Sequence, residues 1–105
     1  MARRLKEVLG RKVLRRVRKT ARELEAMEEV WRRVVPGRYA AVTRVAGWKR
    51  RELTVAVEGS PALAELSGFF GEALLRELNA LLAASGRPTA RSVRFVLEEE
   101  LGEGT

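Results

Sequence analysis

Side chains that could do acid–base, metal or nucleophilic chemistry are scarce in this sequence. It has no histidine, no cysteine and no aspartate, and all 14 acidic residues are glutamates. General acid–base catalysis, metal binding and catalytic triads draw mostly on those three missing types. Glu, Lys and the single tyrosine, Tyr39, are what remains. We therefore expect no enzyme, no metal or other cofactor, and no small-molecule substrate.

Positive charge is gathered at the beginning of the chain. The formal net charge is +7, yet residues 1–22 hold ten basic residues against Glu7 alone. Such an arm on a nearly neutral body predicts a polyanionic partner, nucleic acid first and an anionic membrane surface second. An ordinary solvated face is the alternative interpretation. The candidate nucleic-acid contacts in this segment are Arg4, Arg11, Lys12, Arg15, Arg16, Arg18 and Lys19.

A second basic group, Lys49, Arg50 and Arg51, lies between two predicted strands. At the tip of a hairpin these residues could contact the same nucleic acid. They could equally be a polar turn that keeps the edge of a sheet soluble.

The segment Gly68-Phe69-Phe70-Gly71 fits the G-x-x-G pattern of KH domains, in which a loop between two helices clamps a nucleic-acid backbone. Two phenylalanines suit a phosphate clamp poorly, and the apolar stripe continues through the segment from Leu66 to Leu74. A continuous helix, whose glycines allow close packing on a sheet, is the favoured interpretation.

Helical patterns must position these groups. A first helix is predicted over residues 3–19, and a second starts at the capping box Thr20–Glu23 and ends at Pro36-Gly37. A third begins with Ser60 as its cap and Pro61 in its first turn, and it stops at Gly86. The apolar stripe of this third helix comprises Leu63, Leu66, Phe70, Leu74, Leu78 and Leu81.

Strand patterns complete the fold. Tyr39 to Trp48 reads as a short approach and a strand, followed by strands over residues 52–57 and 92–97. The first two should pair as a hairpin, and the third should lie parallel to the second across the helix. The order helix, helix, strand, strand, helix, strand predicts an α+β fold with helices on one face of a three-stranded sheet. We expect a basic N-terminal helix (1–19), an α+β domain (20–97) and a short, frayed acidic tail (98–105).

A set of dispersed segments covers most of the chain from residue 31 onward: 31–37, 39–43, 51–57, 60–66, 74–75, 78–79 and 93–95. Together these segments resemble the DciA family of bacterial replicative-helicase loaders or operators. This resemblance implies a KH-like domain of the second type, binding to single-stranded or tailed DNA, and contact with the hexameric DnaB-type helicase. It implies no nucleotide hydrolysis.

The function expected is therefore that of a DNA-binding accessory protein of replication. A KH-like RNA-binding protein and a protein-interaction module that docks on an acidic partner are the alternatives. No apolar run approaches the length of a membrane span, and the first residues lack the apolar core of a secretory signal. We expect a cytoplasmic protein without membrane contact.

Overall fold

The computed structural model describes residues 19–103, without the side chains of Phe69 and of residues 102 and 103. The predicted N-terminal helix therefore lies outside the described residues, apart from Lys19. Within residues 19–103 no helix combines the length and the apolar composition needed to cross a bilayer.

Helix α1 covers residues 19–34 and places Met27 and Trp31 in the core. It ends just before Pro36, as predicted. Its predicted start at Thr20 is wrong, because Lys19 is already helical and Thr20 lies within the helix. Good helix formers around Thr20 outweigh the capping signal there.

A single helical turn and a hairpin follow. The turn, α2 (Gly37–Ala40), buries Tyr39, where the sequence predicted the short approach to a strand and no helix. Strand β1 (Thr43–Lys49) then pairs antiparallel with β2 (Glu52–Val57) around a two-residue loop, and the register shifts by a bulge between Val45 and Gly47.

The crossover from β2 is helical along its whole length. It consists of α3 (Ser60–Glu65), a π-helical turn (Leu66–Phe70) and α4 (Gly71–Ala84). The predicted cap at Ser60 is wrong, since Gly59, at φ +91°, takes that position and Ser60 makes no capping hydrogen bond.

The predicted stop of this helix is confirmed. Gly86 has φ +71°, a left-handed conformation that glycine adopts without a steric cost. Its N–H donates to Ala83 at 3.1 Å, and the N–H of Arg87 donates to Leu82 at 2.8 Å. This pair of bonds is the Schellman ending of a helix.

Strand β3 (Ser92–Leu97) lies parallel to β2, with Glu52 opposite Ser92 and Val57 opposite Leu97. The sheet order is β1-β2-β3, and the helices pack on one side, which confirms the predicted α+β, KH-like architecture. The core between the layers holds Met27, Trp31, Val34, Val35, Leu53, Val55, Val57, Leu66, Leu74, Leu78 and Leu82.

The predicted frayed tail is wrong over its first six residues, which form helix α5 (Glu98–Glu103). Glu98 pairs with Arg44 of β1 at 2.7 Å, so this carboxylate is fixed to the sheet and not simply solvated. Ala56 of β2 is buried and lies opposite Arg44 in the register.

Candidate nucleic-acid interface

Helix α1 runs antiparallel to β1, and three pairs of neighbouring residues along the helix fix that direction. Near the first described residue of the helix, Glu23 lines a small cavity together with Trp48 of β1. In its middle the Glu28 carboxylate accepts a hydrogen bond from the N–H of Val45. Further on, the Trp31 indole donates to the Thr43 hydroxyl at 3.0 Å. The chain therefore enters the described domain at the end of the sheet where the hairpin turns.

Five cations meet at that end of the sheet. Because β2 and β3 are parallel, the residues just before both strands lie side by side. The hairpin loop and the segment between α4 and β3 are thus neighbours, although about forty residues separate them in sequence. We call this group the basic end, and it comprises Lys49, Arg50, Arg51, Arg87 and Arg91.

The positive charge of the basic end is not neutralised by ion pairs among the described residues. The ion pairs among residues 19–103 are Arg32–Glu28, Arg33–Glu29 and Arg44–Glu98, and none of them involves this group. All five side chains are exposed. Arg44 is the contrasting case at the opposite end of the sheet, where hydrogen bonds to Glu98 raise the pKa of its guanidinium. An anion would therefore find uncompensated positive charge at the basic end.

The two segments of the basic end are joined by short hydrogen bonds. The Arg51 guanidinium donates to the carbonyl and to the hydroxyl oxygen of Thr89, each at 2.7 Å. The N–H of Arg91 donates to the Arg51 carbonyl, also at 2.7 Å. On the other side, the Asn79 amide of α4 exchanges two hydrogen bonds with the backbone of Ala90 at 2.7 and 2.9 Å. These bonds hold the loop that carries Arg91 against the hairpin.

An open groove of about 610 Å³ lies between the hairpin loop and the beginning of β3. Its lining residues are Lys49, Arg50, Glu52, Arg91 and Ser92. Three of these are cations and one is an acid, whose carboxylate accepts a hydrogen bond from the Ser92 hydroxyl at 3.1 Å. The groove therefore carries net positive charge.

The candidate residues named from the sequence fall into two groups. Lys49, Arg50 and Arg51 lie together at the hairpin, and Lys19 is exposed in the first described turn of α1. Arg4, Arg11, Lys12, Arg15, Arg16 and Arg18 lie outside the described residues. Sequence reasoning missed Arg87 and Arg91. The signal was present, because an arginine precedes each of the two strands that were predicted to be parallel.

The Gly68–Gly71 segment is not a loop. It lies in the π-helical turn and the start of α4, and Phe70 packs edge-on against Tyr39 with ring centroids 6.0 Å apart. The favoured helical interpretation is thus confirmed, but the role given to the glycines is wrong. A Cβ at Gly68 would meet nothing within 4 Å, and one at Gly71 would meet the Leu66 carbonyl of the same helix at 3.5 Å.

The aromatic residues serve packing. Trp31 is buried against Phe95, Trp48 is half-buried beside the core, and the Tyr39 hydroxyl donates to the Glu65 carboxylate. None of these three offers a fully exposed ring on which a base could stack.

The fold and the site define a small KH-like α+β domain with a basic surface at one end of its sheet. A family model described as "Dna[CI] antecedent, DciA" matches residues 4–95, and the chain belongs to this DciA family. Membership supports a role in helicase loading during replication, which is the work of an accessory protein. No curated protein matches the chain at a significant level.

Proposed function

We propose that this protein is a DNA-binding accessory factor of bacterial replication that holds single-stranded or tailed DNA and meets the DnaB-type replicative helicase. The DNA contacts proposed are the cations of the N-terminal segment together with Lys49, Arg50 and Arg51. The protein acts in the cytoplasm and catalyses no reaction of its own.

One observation carries the DNA part of this proposal. The first described residues of α1 lie at the basic end, so the ten cations of residues 1–22 precede or include the part of α1 that neighbours the hairpin. Lys19 stands one turn of helix before Glu23, which is about 6 Å along the axis. Cations from the segment and from the hairpin can thus neutralise neighbouring phosphates of one strand. Each neutralised phosphate releases counterions and strengthens binding at low salt.

The helicase part of the proposal comes from family membership. A DNA-binding factor that also touches the helicase would hold the strand where the ring must close around it. A pull-down with the host's DnaB-type helicase tests this part, and a protein that leaves the helicase in the unbound fraction would remove the loading role.

Titrations of labelled single-stranded DNA, duplex DNA and RNA at several salt concentrations test the DNA part. We expect the protein to bind single-stranded or tailed DNA more tightly than RNA of equal length. A clear preference for RNA would favour the KH-like RNA-binding alternative. Failure to bind any nucleic acid would leave the protein-interaction module.

A further inference from the structure

We propose that the groove between the hairpin loop and β3 is a phosphate-binding site for the bound strand, in which Arg91 is a contact residue and Arg51 a positioning residue. This inference rests on the proposed DNA-binding function. It adds a contact outside the basic runs of the sequence. It also replaces the contact role proposed above for Arg51 with a positioning role.

The positive charge of the groove and its exposure to solvent suit a sugar–phosphate backbone. Lys49 and Arg50 approach it from the hairpin and Arg91 from the loop before β3. Lys presents a compact ammonium and Arg a planar fork of donors, and both bind phosphate oxygens. Because the groove is open, a flexible single strand can reach these cations from solvent.

The hydrogen bonds of the Arg51 side chain engage its guanidinium within the protein, so this residue is not assigned as a phosphate contact. Its guanidinium donates twice to Thr89, and its carbonyl accepts the Arg91 N–H. Three bonds of 2.7 Å therefore tie the hairpin to the loop that carries Arg91. The consequence is a fixed distance between the cations on the two walls of the groove.

The backbone conformation of the hairpin loop supports different roles for Arg50 and Arg51. Arg50 and Arg51 have φ of 52° and 62°, a left-handed conformation that favours Asn and Gly and strains other residues. The bonds to Thr89 compensate the strain at Arg51. Arg50 makes no hydrogen bond or ion pair with another side chain in residues 19–103, so nothing there compensates its strain. Binding of an anionic ligand by Arg50 would explain why a cation occupies this strained position.

A contact role for Arg91 and a positioning role for Arg51 predict different effects of substitutions on DNA binding. Arg91→Gln removes one contact, and Arg76→Gln on the exposed face of α4 is the control with the same change in net charge. Thr89→Val and Arg51→Lys keep every charge but remove one or both of the two bonds that the Arg51 side chain donates to Thr89. Thr89→Ser restores the hydroxyl and should restore binding.

The experiment is a titration of a labelled single-stranded oligonucleotide with the full chain over a range of salt concentrations. We expect Arg91→Gln to weaken binding roughly threefold to tenfold at low salt and to flatten the salt slope by about 0.7, with little change for Arg76→Gln. Thr89→Val and Arg51→Lys should also weaken binding. The double variant Thr89→Val/Arg91→Gln should bind no worse than Arg91→Gln alone, because Thr89 acts through Arg91.

Equal affinities for Arg91→Gln and Arg76→Gln would overturn the contact role of Arg91. Wild-type affinity for both Thr89→Val and Arg51→Lys, or strictly additive losses in the double variant, would overturn the positioning role. In both cases the wild-type protein still binds DNA, and the proposed function stands. A wild-type protein that binds no DNA would refute the proposed function and, with it, the phosphate-binding role of the groove.

Discussion

The indole N–H of Trp31 donates a 3.0 Å hydrogen bond to the Thr43 hydroxyl, which itself donates to the Tyr39 carbonyl at 2.8 Å. Trp31 lies in α1 and Thr43 begins β1, and both are buried. This contact satisfies the one polar atom of the largest core side chain. It also helps to fix the direction of α1 along β1, with the first described residues of α1 at the basic end.

Replacement of Thr43 by Val should test the strength of this connection. The variant keeps the side-chain shape but leaves the Trp31 N–H buried without an acceptor, at a cost of about 1–3 kcal/mol in the free energy of unfolding. Urea unfolding followed by tryptophan fluorescence measures it. Thr43→Ser, which keeps the hydroxyl, should lose less. Equal stability of Thr43→Val and the wild type would show that the hydrogen bond contributes nothing.

Arg50→Asn should change stability and binding in opposite directions. Asparagine tolerates the left-handed conformation at φ 52°, so we expect the free energy of unfolding to rise by about 0.5–1 kcal/mol. Loss of the charge should weaken binding to single-stranded DNA by about twofold to fivefold. Arg50→Lys is the matched control, since it keeps both the charge and the strain. Thermal melts and anisotropy titrations measure the two effects, and a variant with unchanged affinity would contradict the role of Arg50.

The fold was largely predictable because its strands have clear alternation and its long helix has a clear stripe. Strands β2 and β3 have the predicted bounds. The one-turn helix α2 and helix α5 were missed, since four and six residues carry too little periodicity to separate a helix from a loop. Tertiary contacts stabilise both, through buried Tyr39 and through the Arg44–Glu98 ion pair.

Only the hairpin part of the candidate site was predictable from the sequence. Lys49, Arg50 and Arg51 are adjacent in sequence and stand out as a run. Arg91 stands alone, and it joins them only because the β2–β3 register puts Glu52 opposite Ser92. The bonds between Arg51 and Thr89 depend on that same register. A pattern along the chain cannot distinguish an arginine that faces solvent from one that holds a loop.

Glu52→Gln should strengthen DNA binding. Among the described residues that line the groove, Glu52 is the acidic one, and its carboxylate would repel a phosphate there. Glutamine keeps an oxygen that can accept the hydrogen bond from Ser92. Removal of the charge should raise the affinity for single-stranded DNA by about twofold to fivefold at low salt, and by less as salt increases. Glu77→Gln on exposed α4 is the control for net charge. Weaker binding by Glu52→Gln than by Glu77→Gln would show that no phosphate enters the groove.

Gly68→Ala should stabilise the protein and leave nucleic-acid binding unchanged. Gly68 lies in a helical turn without a positive φ, and an added Cβ would meet open space. Alanine in place of glycine in a helix gains about 0.5–1 kcal/mol. Thermal unfolding and RNA titration measure the two effects. Selective loss of RNA binding would instead indicate that a nucleic-acid backbone approaches this glycine, as in the KH-like alternative.

The central claim is that the N-terminal cations and the basic end act together on one DNA strand. Its most direct test compares two variants that each lose three positive charges. One variant neutralises the N-terminal segment and the other neutralises exposed sites of α1 and α4 away from the basic end. The substitutions to Gln are at Arg11, Arg15 and Arg18 in the first variant, and at Arg32, Arg33 and Arg76 in the second.

The measurement is the slope of the logarithm of affinity for a single-stranded oligonucleotide against the logarithm of salt concentration. With about 0.7 per phosphate contact on single strands, the first variant should lose up to about 2 in this slope and the second almost nothing. Equal slopes for both variants, or a wild-type protein that ignores the oligonucleotide at low salt, would contradict the claim.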